Sequence, residues 1–385
     1  MARLAKLAKA RTMGGLQDYR DQLEHLASID RIRSLRPRVG IDFASNDYLA
    51  LGAAPRLAEA VREAMARGVP VGSGGSRLLR GNDPEHELIE AEASAFFGSQ
   101  SALYFSSGFA ANTALFATLP QRGDLVVHDA LIHASALDGM RMGRAEVTSA
   151  AHNDPDGLDD AIKRWRSAGG MGRAWIAVES LYSMDGDRAP LVDLAKVAAA
   201  HDAMLVIDEA HATGVFGRDG RGLADAIHDA DNVVTLHTCG KALGCEGALL
   251  CGPEVLRDFL VNRARPFIFS TAPSPLMASA VREALRILVD EPERRAALWR
   301  LVAHAERKLA PLGIAPTGSQ ILPLIIGDDG ATMRAAAALQ AAGFDVRGIR
   351  PPTVPAGTSR LRISLTLNAN EADVNALADA LKVAL

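Results

Sequence analysis

Lys241 sits where a lysine can work as a nucleophile. It lies in Thr238-Cys-Gly-Lys-Ala-Leu-Gly244, just after the apolar run Val233 to Leu236, and the flanking glycines let the backbone approach a bulky ligand. An amine attacks a carbonyl carbon only when its surroundings depress its pKa, which an apolar crevice at a strand end does. Alone the signal is weak, because most lysines are solvated surface charges. Nor is this a P-loop: Ala242 stands where a Ser or Thr is needed and the leading glycine is missing. A second group sharpens the reading. Asp208-Glu-Ala-His211 closes the apolar run Met204 to Ile207, setting a carboxylate and an imidazole three residues apart at a sheet edge. A pyridine nitrogen stays protonated only beside a carboxylate, and a protonated ring is what makes pyridoxal 5'-phosphate (PLP) an electron sink. Asp208 suits that role, and His211 suits the phenolic oxygen of the ring or a bound substrate. The letters DEAH also name a helicase motif, but that motif needs a GxxxxGK[ST] sequence upstream and none occurs.

Ser106-Ser-Gly-Phe-Ala-Ala-Asn112 follows another apolar run and opens a helix, so free backbone N–H groups at Gly108 and Phe109 suit a phosphate. An ordinary capped helix start reads the same way by itself. Ala130-Leu-Ile-His-Ala-Ser135 supplies His133, a candidate to stack on a cofactor ring, although a lone histidine in a buried turn is more often structural. Gly72-Ser-Gly-Gly-Ser-Arg77 lacks the spacing of a nucleotide loop and is expected as a loop near the site. Arg360 and Arg362 flank Leu361 on an expected strand, so both point to one face. One of them can clamp a substrate carboxylate; either can instead be a surface charge.

These residues need a scaffold that collects them. From about Ser101, short apolar runs alternate with helical stretches: Ala102–Phe105, Leu125–Val127, Trp175–Val178, Met204–Ile207, Val233–Leu236 and Ala248–Leu250. Strands buried on both faces of a mostly parallel sheet read this way, and in such α/β sheets ligands bind at the carboxyl ends of the strands. Beyond roughly residue 270 comes a long Ala/Arg/Leu helical stretch, then Ile321–Ile326, Phe344–Ile349 and Leu361–Leu365, which reads as a separate, smaller α+β domain. The expected organisation is an N-terminal helical segment over 1–45, a large α/β domain over 46–270 and a C-terminal α+β domain over 271–385.

The chain has 385 residues, 48% of them apolar, and a formal net charge of −4, which offers no electrostatic footprint for nucleic acid. No apolar run approaches the length of a membrane span, and the basic MARLAKLAKA start is followed by charges where a signal peptide needs an apolar core, so a cytosolic protein is expected. Cys239, Cys245 and Cys251, spaced six apart, fit neither a CxxC metal site nor a disulfide framework and are expected as small buried residues.

The ordered set Asn46-Asp-Tyr-Leu49, GSGGS from Gly72, SGFAAN from Ser107, HAS from His133, SMDGD from Ser183, DEAHATGVFG from Asp208 and TCGK from Thr238 resembles the α-oxoamine synthases over nearly the whole chain. These are PLP-dependent enzymes of the aspartate-aminotransferase fold type. The resemblance implies Lys241 as the Schiff-base lysine, Asp208 on the ring nitrogen and His133 above the ring. It implies Gly108, Phe109 and Thr238 around the phosphate, Ser183 and His211 at the cofactor's polar edge, and Glu179 as support. Arg362 would take the amino-acid carboxylate, with Asn46, Thr353 and an N-terminal arginine, Arg33 before Arg31, as substrate contacts. The tail from Ile349 to Arg362 looks most like the biotin-pathway branch, which condenses L-alanine with a pimeloyl thioester of coenzyme A or an acyl carrier protein, with no metal. The family also implies a homodimer, with Gly72–Ser76 and Ser270–Thr271 reaching the neighbour's cofactor. Relatives using glycine with acetyl or succinyl thioesters, a PLP aminotransferase, and a PLP-binding protein without turnover are the alternatives. One position departs from the pattern: Glu246 stands where a small polar residue is expected, and its charge either faces solvent or perturbs the site.

Overall fold

The computed structural model describes residues 16–227 and 231–385. Twelve strands are present among them: β1 (Ile41–Asp42), β2 (Ser101–Phe105), β3 (Leu125–Asp129), β4 (Glu146–Ala150), β5 (Ala174–Glu179), β6 (Met204–Asp208), β7 (Val233–Thr238), β8 (Ala248–Gly252), β9 (Ile321–Gly327), β10 (Phe344–Asp345), β11 (Arg347–Ile349) and β12 (Ser359–Ser364). Seven form the central sheet in the order β2-β8-β7-β6-β5-β3-β4. The strands from β7 to β4 run parallel, and β8 lies antiparallel to both of its neighbours.

The runs of Val, Ile, Leu and Ala become central strands because both sheet faces are covered. Alternate residues of one strand point to opposite faces. Val126, Trp175 and Val206 pack with Phe116, Met140 and Leu260 of the helices on one side, while Val127, Ile176 and Leu205 pack with Leu158, Ile162 and Leu194 on the other. Strand β4 is different. It is the edge of the sheet, mostly exposed, and its sequence Glu-Val-Thr-Ser-Ala carries no continuous apolar run that would announce it.

The segment beyond residue 270 begins with helices Pro275–Asp290 and Pro292–Leu309, broken at Glu291 by a proline that starts the second. The first packs against helices Pro55–Ala66 and Pro84–Phe97 from before the central sheet. Strands β11, β12 and β9 then form an antiparallel sheet. The expected single strand Phe344–Ile349 divides at Val346 into β10 and β11, which join different sheets, and β10 pairs in parallel with β1. Of the helical segment expected over 1–45, residues 16–28 are helical, residues 29–45 hold no helix and include β1, and residues 1–15 lie outside the described residues. Among the described residues no helix is long and apolar enough to cross a membrane.

Candidate active site

The carboxyl ends of β2, β3, β5, β6 and β7 open on one crevice of about 580 Å3, whose lining includes Asn46, Gly108, His133, Glu179, Asp208 and Lys241. Lys241 follows β7 in a tight turn closed by Gly244 N–H donating to Lys241 O at 2.8 Å. Gly244 has φ of +65° and a Cβ there would lie 2.4 Å from Gly52 N, so the turn needs glycine. No protein group hydrogen-bonds Lys241 Nζ among the described residues. Burial lowers the Lys241 pKa to about 8, against the opposing pull of the Asp208 and Glu179 carboxylates.

Asp208 ends β6. Its Oδ1 accepts the Ala210 N–H at 3.0 Å and its Oδ2 accepts Asn112 Nδ2–H at 2.8 Å. Asn112 also donates to Ser135 Oγ at 3.0 Å, and Ser135 Oγ lies 2.7 Å from His133 Nδ1. His133 is the N-cap of helix Ala134–Met142, and burial, outweighing the attraction of Asp208, holds its pKa below the usual histidine range. Glu179 ends β5. Its Oε2 accepts the Ser183 N–H at 3.2 Å, while Oε1 is buried with no hydrogen-bond partner among the described residues. Burial, reinforced by the Asp208 charge, pushes the Glu179 pKa well up.

At the start of helix Gly108–Thr118 the N-cap Ser107 side chain accepts the Ala110 N–H at 3.1 Å, which leaves the Gly108 and Phe109 amides for a ligand. A Cβ at Gly108 would meet Thr238 Cγ2 at 2.5 Å, so glycine is needed for the helix start to lie against the end of β7. Phe109 and Thr238 also line the crevice, and Thr238 Oγ1 donates to Ala210 O at 3.3 Å.

Arg360 and Arg362 do share a face of β12, and neither is a surface charge. Both reach the 183–185 loop: Arg360 pairs with Asp185, and Arg362 Nε donates to Ser183 O at 2.6 Å. Arg362 also donates from Nη1 to Ser364 Oγ at 2.5 Å and from Nη2 to Asn46 Oδ1 at 3.1 Å, which brings it to the crevice rim. The loop is tied in turn to the central sheet by His152, whose Nδ1 lies 2.9 Å from Asp129 Oδ1 and whose Nε2 lies 2.7 Å from Asp187 Oδ2.

Four expected contacts lie off the crevice lining: Arg362, which reaches it only through Asn46, and Ser183, Thr353 and Arg33. The Ser183 backbone bridges Glu179 and Arg362, but its side chain is not part of the lining. Thr353 is exposed on the loop between β11 and β12. Arg33 is exposed as well, and Arg31 is engaged with Asp329 at 2.7 Å. Glu246 is exposed at the crevice rim, with its backbone oxygen accepting from Tyr104 OH at 2.8 Å. Of the cysteines, Cys239 and Cys251 are buried, while Cys245 is half-buried and lines the crevice, its thiol pushed up to about 12 by burial. Sequence reading assigned no role to Asn112, Ser135 or Tyr48. Each lies inside a motif already noted for its neighbours, which is the one signal that points to them.

Comparison with known proteins places this geometry. The family model for aminotransferase class I and II matches residues 38–381. Among curated proteins, the chain is 43% identical over 351 residues to an 8-amino-7-oxononanoate synthase of Anaeromyxobacter dehalogenans, covering 90% of this chain and 87% of the relative. It is 45% identical over 353 residues to the enzyme of that name from Burkholderia thailandensis, covering 89% and 88%. Among solved structures, a serine palmitoyltransferase from Sphingomonas wittichii superposes with TM-score 0.87 at 27% identity, covering 97% of each chain. One from S. paucimobilis, with PLP and myriocin bound, gives 0.86 at 28%, again covering 97% of each. The 8-amino-7-oxononanoate synthase of Francisella tularensis gives 0.75 at 26%, covering 89% of this chain and 97% of that one. With a model match across most of its length and curated relatives this similar, the chain belongs to the aminotransferase class I and II family and, within it, to the 8-amino-7-oxononanoate synthases.

Proposed function

We propose that the protein condenses L-alanine with a pimeloyl thioester, releasing carbon dioxide and the free thiol and giving 8-amino-7-oxononanoate. The observation that carries the reading is Lys241: a buried amine with its pKa lowered to about 8, with no hydrogen-bonding protein group among the described residues, in the crevice that also holds Asp208 and His133.

The residues fit PLP. An aldehyde needs an amine that is neutral near pH 8, a pyridinium needs a buried carboxylate, and a phosphate needs free amides at a helix N-terminus. Lys241, Asp208 and the Gly108–Phe109 amides are these groups, and Thr238 lies against Gly108. Glu179 lines the same crevice, and its Oε1, buried with no hydrogen-bond partner among the described residues, is a further polar atom suited to a ligand there. Bound there, PLP supplies a ring that takes up the electron pair released when a bond to the amino acid's α-carbon breaks.

Asp208, held by Asn112 and the Ala210 amide, would keep the proton on the ring nitrogen. Lys241 Nζ, neutral in part at physiological pH, takes the α-proton from alanine. Arg362 binds the alanine carboxylate from the rim, with Asn46 beside it, until that carboxylate leaves as carbon dioxide. With PLP bound, His133 would cover one face of the ring and exclude water. His211 would serve the cofactor's polar edge, and Ser183 would support it through its backbone, which bridges Glu179 and Arg362. Arg33 and Thr353, both exposed on segments outside the crevice lining, would contact substrate.

We also assign a homodimer to this reading. The Gly72–Ser76 loop and the segment after Ser270–Thr271 are joined, with Ala272 N–H donating to Gly75 O at 2.9 Å, and exposed Leu79 (84%) and Phe269 (70%) flank them. Exposed apolar side chains beside these joined loops suit a second copy of the chain. Sedimentation of an active monomer at assay concentration would overturn the dimer. For the reaction itself, purified holoenzyme mixed with alanine and pimeloyl thioester is expected to release free thiol together with carbon dioxide; return of the cofactor in its amine form, with no thiol released, would make the protein an aminotransferase.

A further inference from the structure

Tyr48 has no role in the account above, yet its hydroxyl joins two crevice residues. The side chain is buried, and its oxygen lies 2.7 Å from His211 Nδ1 and 3.0 Å from Asn46 Oδ1. From the other side Arg362 Nη2 donates to the same Asn46 oxygen at 3.1 Å and approaches the Tyr48 oxygen at 3.5 Å. His211 is fixed through its backbone as well, since Gln320 Nε2 donates to His211 O at 2.7 Å.

His211 is buried, and that burial, with the charges of Lys241 and Arg362, holds its pKa well below the usual histidine range. It is therefore a neutral imidazole with one N–H, and the hydrogen bond at one nitrogen decides what the other presents. Tyr48 has one proton to give and two acceptors to choose between. The imidazole nitrogen is the stronger base and the nearer atom, and the amide oxygen already receives a proton from Arg362.

We infer that Tyr48 is a positioning residue: its hydroxyl donates to Nδ1 and fixes His211 as the tautomer whose Nε2–H faces the crevice. Nε2 has no protein partner among the described residues, so the N–H is offered as a donor to an oxygen of whatever occupies the crevice. The identity of that ligand rests on the proposed function. The tautomer does not, because it is a property of the protein alone.

The test uses cofactor-free protein carrying ring-15N histidine, with His211 assigned by the signals missing from His211→Gln. Protonated Nε2 and unprotonated Nδ1 are expected, and Tyr48→Phe should move both resonances toward the average of the two tautomers. A His211 protonated on Nδ1, or one whose resonances Tyr48→Phe leaves in place, would overturn the inference. In reconstituted enzyme Tyr48→Phe should lower kcat about tenfold, because Nδ1 loses its buried partner. KM for alanine should stay within about twofold, since Arg362 keeps Ser183 O and Ser364 Oγ. A raised KM with unchanged kcat would contradict the assignment. If Tyr48→Phe does not fold, the spectrum of the unaltered protein still decides the tautomer. If alanine and pimeloyl thioester prove not to react, that spectrum stands apart from the failure.

Discussion

Asn112 and Asp208, ninety-six residues apart in sequence, meet at 2.8 Å, with the asparagine amide donating to Asp208 Oδ2. Together with the Ala210 N–H on Oδ1, this leaves the carboxylate oriented but still able to face a pyridinium N–H. Asp208→Asn removes the charge at nearly the same shape, and its one amide oxygen can accept from Asn112 or from the Ala210 N–H but not from both. The variant should retain cofactor and lose α-proton exchange from alanine by about a hundredfold or more, the scale of removing one preorganised electrostatic group. Exchange measured by deuterium incorporation at the wild-type rate would take Asp208 out of the chemistry.

For Lys241 the expected outcome combines place and pH. Borohydride reduction of holoenzyme followed by peptide mapping should find the pyridoxyl group on Lys241. In cofactor-free protein the neutral amine is the reactive form, and burial lowers its pKa from 10.5 to about 8. The rate of PLP capture should therefore rise with pH and level off above about 8, well before an ordinary lysine would. A label on another lysine, or a rate still climbing steeply at pH 10, would count against the site.

How much of this was legible beforehand follows from the kind of signal each residue leaves. Lys241, Asp208, Glu179 and Gly108 sit at the ends of continuous apolar runs, and a sheet covered on both faces turns those run ends into one crevice edge. Strand β4 left no such trace, because an exposed edge strand needs no apolar pattern. Asn112 and Tyr48 left none either: their partners Asp208 and His211 are distant in sequence, and a polar side chain does not announce which distant group will satisfy it. The segments carrying Arg33 and Thr353 are neither apolar runs nor strands, so resemblance gave their positions in sequence while packing alone decides where they lie.

His152 gives a prediction about stability. Burial opposes its charge, but hydrogen bonds to Asp129 and Asp187 outweigh that and raise its pKa to about 10. A raised folded-state pKa stabilises fully below the unfolded value of about 6.5 and is lost as pH climbs through about 10. His152→Gln should lower the thermal midpoint of cofactor-free protein at pH 6, by several degrees for a loss of about 1–3 kcal/mol, and by much less at pH 10. Since Asp187 closes the loop that carries Ser183 and Asp185, the variant should also loosen Arg362 and raise KM for alanine. An equal midpoint loss at both pH values would mean that the imidazolium charge contributes nothing.

Substrate choice separates this enzyme from its relatives, and the two halves of the substrate should discriminate unequally. Alanine differs from glycine by one methyl, worth only about 1–3 kcal/mol in a pocket, so some turnover of glycine is expected. The acyl half carries a larger lever. A pimeloyl chain ends in a carboxylate, and a site built to pair it leaves a polar group unsatisfied when an acetyl thioester binds instead, a penalty that a missing methyl does not carry. Competition between pimeloyl and acetyl thioesters on one enzyme preparation, with alanine and then glycine, should therefore show a larger ratio for the acyl pair than for the amino-acid pair. On the proposal that Arg33, exposed outside the crevice lining, pairs with the acyl chain's carboxylate, Arg33→Ala should compress the acyl ratio and leave the amino-acid ratio unchanged, since Arg362 stays in place on Ser183 O and Asn46. A preference for glycine with acetyl thioester would assign the protein to a different member of the family, and an acyl ratio untouched by Arg33→Ala would move the carboxylate's partner elsewhere.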